Sequence, residues 1–187
     1  ADNYFASSFI LDPMQFRVEY EKSSFHNSLF SKFYRSYNCR WVTPFDIMAN
    51  QADAKFENSH NTCGMGIWKT IQRFANTKFN KNFNEFIAFG YDERVKYLES
   101  IADYYFKQKN SRLWPGEYKI FFEDKAIQSN LIAHFIDDCE YLFNHTISLQ
   151  YDIFPKEGSL FENYDTIIFE NGQGLAISDD GTDNKFA

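Results

Sequence analysis

The chain reads as an all-helical segment followed by a small parallel α/β unit, and three observations carry that reading. Up to about residue 113, apolar side chains recur at three and four residues almost throughout, which is helical spacing. From Glu117 to Glu170, strand-like and helix-like patterns alternate instead. Between the two stretches, Trp114-Pro115-Gly116 punctuates the chain. The expected organisation is therefore a helical domain over 1–113 and an α/β domain over 116–187.

The second stretch sets out its elements in order. Tyr118 to Phe122 is a short apolar run bounded by Pro115-Gly116 and Glu123-Asp124, and it predicts a first strand. Ser129 opens a helical pattern in which Leu131, Ile132, Phe135, Ile136, Cys139, Leu142 and Phe143 share one face. Thr146 to Phe154 alternates apolar and polar residues and predicts a second strand. After Pro155 to Gly158, Tyr164 to Phe169 reads as a third. Strand, helix, strand and strand within this span is the grammar of a parallel βαβ unit. A short strand over Leu175 to Ser178 and a polar tail close the chain.

In the first stretch, Asn3 to Leu11 reads as the last turns of a buried helix. Asp12-Pro13 ends it or restarts a helix with Pro in its first turn. Met14 to Tyr37 keeps nearly helical spacing, with a break and N-cap near Ser23-Ser24. Thr43-Pro44 starts the next helix, with Phe45, Met48, Ala52 and Phe56 inward. Asn58 to Gly66 is loop by composition. Gly66 to Phe79 predicts a helix with Ile67, Ile71, Phe74, Ala75 and Phe79 inward, and Phe83 to Phe89 forms a short apolar turn closed by Gly90. Asp92 caps a long helix whose face is Val95, Leu98, Ile101, Ala102, Tyr105 and Phe106. No internal repeat is visible.

A chain of 187 residues is long enough to bury a real core, as one large domain or two small ones. Its 22 Phe and 12 Tyr favour ordered, aromatic-packed elements over disorder. The net charge of −7 argues against gripping nucleic-acid phosphates directly. Cys39, Cys63 and Cys139 have no paired spacing and read as reduced thiols, consistent with a cytoplasmic protein. No apolar run reaches membrane-spanning length. The sequence starts on Ala in the middle of a pattern, which predicts a piece of a larger protein.

Candidate chemistry is sparse. The histidines are His26, His60, His134 and His145, and none is spaced as a metal pair on one helix face. His60 and Cys63 are three apart, but two ligands do not close a zinc site. No nucleophile elbow, phosphate loop or dinucleotide fingerprint is present. Asp137, Asp138 and Glu140 form the solvated face of a helix. Glu123-Asp124 lies at the strand edge where α/β proteins bind ligands, with Ser129 at the following helix start. Enzymatic activity and bound cofactors are not expected.

Two segments together carry a resemblance. Phe9-Ile10-Leu11-Asp12-Pro13 and the Trp68…Ile71…Phe74 helix lead into the unit of Tyr118 to Phe122, the Asn130 to Phe143 helix and Tyr164 to Ile168. That unit resembles an enzyme IIB-like domain of the sugar phosphotransferase system. The pair resembles the C-terminal half of the Mga/AtxA family of Gram-positive transcription regulators, many of them virulence regulators. The resemblance implies a helical PRD-like domain followed by a parallel-sheet IIB-like domain, with DNA binding confined to domains outside this chain. It also implies a homodimer, the phosphocarrier HPr as a partner and His26 and His60 as the candidate phosphoacceptors. The loop Glu123 to Gln128 lacks the nucleophilic Cys of a phosphotransferase IIB, so phosphoryl-carrier activity is not implied. The expected function is a regulatory and oligomerisation fragment of such a regulator. The alternative is a small α/β enzyme with a helical cap, acting on a phosphorylated metabolite near Glu123 to Ser129.

Overall fold

The computed structural model describes residues 2–22, 32–56, 64–150 and 164–168. Helices dominate it and a small parallel sheet accompanies them, so the coarse expectation of helices plus an α/β element holds. The placement of the strands differs. Asn3–Phe5 (β1) and Ile10–Leu11 (β2) are extended, not the last turns of a helix. They lead into α1, Pro13–Lys22, which starts at the expected proline. Phe33–Ser36 (β3) and Arg40–Trp41 (β4) follow, inside the stretch expected to be helical, and lead into α2, Pro44–Phe56. The break expected at Ser23-Ser24 lies outside the described residues.

These first four strands form two units of the same build. β1 pairs with β3 and β2 with β4, both in parallel, through Asn3↔Phe33 and Ile10↔Arg40, which is one constant offset along the chain. Each long strand is interrupted by a turn, closed by Phe9 N to Ala6 O in one and Cys39 N to Ser36 O in the other. Each then turns into a helix through Asp12-Pro13 or Thr43-Pro44, where proline sits in the first turn without loss of a needed donor. The repeat escapes the sequence because its two copies share geometry and proline placement, not side chains. Cys39 ties the interruptions together: its Sγ donates to the carbonyls of Phe5 and Ala6.

The remaining elements are α3 (Ile67–Phe74), α4 (Phe83–Ile87), α5 (Tyr91–Phe106), a 3₁₀ turn (Lys109–Leu113), α6 (Gly116–Glu123), α7 (Lys125–His145) and β5 (Ile147–Leu149). The strand expected over 118–122 is the helix α6. A strand would place Tyr118, Ile120 and Phe122 on one face, yet Ile120 is 42% exposed and Phe122 only 3%. Helical spacing turns Phe122 onto Phe45, Phe106 and Trp114 and leaves Ile120 outside. The strand expected over 164–169 is absent from its described part: 164–168 pairs with no strand, and Ile168 is exposed. This stretch is held by the Tyr164 hydroxyl, which donates to Asp2.

β5, the described part of the strand expected over Thr146 to Phe154, pairs with β3 through Tyr34↔Ile147. The sheet order is therefore β1-β3-β5, and it joins residues on both sides of Trp114. The buried core also draws on both sides, from Trp41 and Phe45 to Phe135 and Leu142. Trp41 stacks on Phe86 at 4.3 Å and on Phe135 at 5.8 Å, at the junction of α4, α7 and β4. α7 packs against α1, α4, α5 and α6, and buries Ile132, Phe135, Ile136, Cys139 and Leu142 as their spacing predicts; Phe143 is exposed instead. Gly66 fits the turn before α3 because its φ of 75° is left-handed and a Cβ there would meet the Ile47 amide nitrogen at 2.8 Å. Replacing Gly66→Ala should cost at least about 2 kcal/mol in urea denaturation. An unchanged midpoint would show that this turn tolerates a side chain.

Candidate functional site

α2 begins with a reciprocal cap in which Asp46 stands where glutamate is usual. Thr43 Oγ1 accepts from the Asp46 amide at 3.1 Å, and the Asp46 carboxylate accepts from the Thr43 amide at 2.7 Å. The shorter side chain keeps this carboxylate under α3, where it takes Arg73 Nε at 2.9 Å and Nη2 at 3.0 Å. Tyr105 Oη donates to it at 2.5 Å. Arg73 also donates to the carbonyls of Trp41 and Phe79 and lies over the Trp41 ring. Both charged groups are fully buried. Burial alone would lower the Arg73 pKa, but the Asp46 charge outweighs it and the guanidinium is held in its charged form. Burial, reinforced by Asp46, drives the Tyr105 hydroxyl far above its ordinary range. This cluster is closed on every side and works as a brace.

A second brace lies beside it. Lys69 pairs with Asp53 at 2.5 Å, and the Trp114 indole donates to the other oxygen of that carboxylate at 2.6 Å. Together the two braces draw Lys69, Thr70 and Arg73 inward. The sequence assigns the inner face of this helix to Ile67, Ile71 and Phe74, continuing to Ala75 and Phe79. The structure changes it in part: Ile67 and Ala75 are exposed and the helix stops at Phe74, while Ile71 is half-buried, Phe74 packs against the core and Phe79 is buried in the turn beyond. Met65, Ile67 and Trp68 face outward together, Trp68 at 61% exposure. This apolar outer surface at the start of α3 is the candidate functional site.

The residues singled out in the sequence fall elsewhere. His26, His60 and Cys63 lie outside the described residues. His134 is exposed on α7, and His145 stacks on Tyr141 at 4.0 Å while its Nδ1 donates to the Tyr141 carbonyl. Cys39 and Cys139 are buried, and burial raises the Cys139 thiol well above its usual range. At the expected phosphate edge, Glu123 ends α6 and Ser129 is already inside α7. The start of α7 is capped by the Asp124 carboxylate, which accepts from the amides of Ala126 and Ile127. Those donors are therefore already turned to an acidic group. No three metal-ligating side chains cluster among the described residues. Asp137 and Glu140 are exposed, as expected of a solvated face, and Asp138 is half-buried; Arg17 pairs with Asp137 and Asp138 and links α7 to α1.

Comparison with protein-family models, curated proteins and solved structures returned no match for this chain.

Two predictions test the electrostatics. Asp46→Asn should destabilise the protein by about 3–5 kcal/mol in urea denaturation, because it leaves a buried guanidinium without its counter-charge. A loss below about 1 kcal/mol would show that the neutral acceptors suffice. The second concerns Asp12, which caps α1 and whose carboxyl is raised above its ordinary 3.8 mainly by burial. The folded state thus binds this proton more tightly than the unfolded state. The stabilisation is complete below that ordinary value and is lost as pH rises through the folded value. Asp12→Asn keeps a capping oxygen but does not titrate, so its melting temperature relative to wild type should climb from about pH 3 to neutrality. A difference that falls over that range would contradict the assignment.

Proposed function

We propose that this chain is a non-catalytic regulatory and self-association module, and that it pairs with a second copy through the outer face of α3. One observation carries this reading: α3 turns Lys69, Thr70 and Arg73 to the core and leaves Ile67 and Trp68, at its start, in solvent. Scattered exposed hydrophobics need no explanation, but Met65, Ile67 and Trp68 lie within four residues around the left-handed Gly66 turn. Trp is the residue most characteristic of interface hot spots, and a preorganised anchor loses little entropy on binding. A two-fold pairing is the commonest symmetry for such a contact.

The Mga/AtxA resemblance agrees with this role: DNA contacts would belong to domains outside this chain, and pairing would set their spacing. That resemblance used a first strand over 118–122, which is helical here, so the reading leans on the α3 surface. The cytoplasmic setting, HPr as a partner and phosphorylation at His26 or His60 belong to the same proposal. No helix among the described residues is long and apolar enough to cross a membrane. The alternative of an enzyme for phosphorylated metabolites gains no observation at the Asp124-capped start of α7.

Sedimentation velocity over a concentration series should show monomer–dimer exchange for the wild type. Trp68→Ala should shift it toward monomer by at least tenfold in dissociation constant, roughly 1.4 kcal/mol. A concentration-independent monomer in both proteins would defeat the proposal.

A further inference from the structure

Arginines 17, 73 and 94 each engage a carboxylate. Arg35, on the central strand β3, does not. Its side chain is buried, the residue being 1% exposed, and no acidic group among the described residues forms an ion pair with it. Nη1 donates to the Thr146 carbonyl at 3.4 Å and Nη2 to Asn84 Oδ1 at 3.0 Å. Nε is buried and has no hydrogen-bond partner among the described residues. The fork made by Nε and Nη2 is the edge on which arginine binds a carboxylate through two parallel hydrogen bonds. Here one tine rests on a neutral amide and the other is empty. A buried guanidinium without a counter-charge is costly, and burial correspondingly lowers its pKa to about 10.

The neighbourhood opens to solvent through two shared residues. Asn84 and Phe143 both line a groove of about 510 Å³ between α4, the start of α5 and the last turn of α7. Arg35 does not itself line the groove; the Phe143 ring, 40% exposed, both lines it and stands 5.0 Å from the guanidinium. Ile87 and Ala88 supply an apolar wall. Arg94 is already committed at the rim, to Glu140 and to the carbonyls of Ile87 and Phe89. Thr146 C-caps α7, so the negative end of that helix also faces this region. Glu140 and this helix end weigh against a dianion, and the single charge of Arg35 matches one carboxylate.

We propose that Arg35 is the floor of a binding site for a small monocarboxylate with an apolar body, entered from this groove with Phe143 as its gate. The carboxylate spans Nε and Nη2 of Arg35, displacing Asn84 from the second tine, and the body lies against Ile87 and Ala88.

The probe is benzoate, read through the side-chain Nε–H resonance of Arg35 in a nitrogen–proton correlation spectrum, with inorganic phosphate in parallel. Benzoate should give a saturable shift. Phe143→Ala, an exposed position, should bind at least as tightly once the gate is gone. Asn84→Asp supplies the missing carboxylate from within, at the cost of the Asn84 Nδ2 donation to the Tyr37 carbonyl, so it should weaken benzoate at least about tenfold. The absence of a saturable shift in both wild type and Phe143→Ala would overturn the site. An undiminished response in Asn84→Asp would do the same, and an equal response to phosphate would overturn the carboxylate assignment. The wild-type and Phe143→Ala titrations decide the question even if Asn84→Asp fails to fold.

Discussion

Asp46 is one carboxylate doing the work of a cap, a counter-ion and an acceptor for tyrosine. Thr43 binds it from the start of α2, Arg73 from α3 and Tyr105 from α5, so a single buried side chain ties three helices together. An isolated buried charge would be costly; here each lone pair and donor on the shared edge meets a partner. The consequence reaches the surface. To bring Arg73 inward, α3 turns Ile67 and Trp68 outward, so the exposed Trp68 accompanies the buried ion pair.

The arginines divide the molecule by role. Arg73 braces the interior. Arg17 reaches from α1 to Asp137 and Asp138 on α7, and its guanidinium also lies over Tyr141. Arg94 closes the end of α4 by taking its last carbonyls and then reaches Glu140. α7 receives two of these contacts along with most of the core packing, which makes it the central element of the helical layer. Arg35 differs because its acceptors are a carbonyl, an amide and two aromatic rings, none of which carries a full negative charge.

The parallel sheet shows how little strand a chain needs when pairing is supported elsewhere. Two to four residues per strand suffice because the turn-broken β1–β2 and β3–β4 units are bridged by Cys39 and continue directly into α1 and α2. Aromatic contacts strengthen the join: Phe5, Phe16, Phe33 and Tyr20 meet at ring separations between 5.5 and 6.3 Å. Such a cluster between sheet and α1 adds directional packing to simple burial.

The sequence by itself determined what depends on near neighbours. Pro44 after Thr43 starts α2, and the spacing of Leu98, Ile101, Ala102 and Tyr105, or of Ile132 through Leu142, settles which side of α5 and α7 is buried. Tertiary structure alone decided the rest. Asn3–Phe5 and Phe33–Ser36 become strands by pairing with each other and with β5, a choice that a three- or four-residue run cannot encode locally. Tyr118 to Phe122 suits either period and becomes helical because Phe122 finds its pocket that way. The candidate sites were hidden for the same reason. The start of α3 is turned by a carboxylate that lies far from it in sequence, and Arg35 stands apart because no acidic group among the described residues forms an ion pair with it. Periodicity reports how a segment meets a generic core; the position of one particular charge is known only when the distant segments have met.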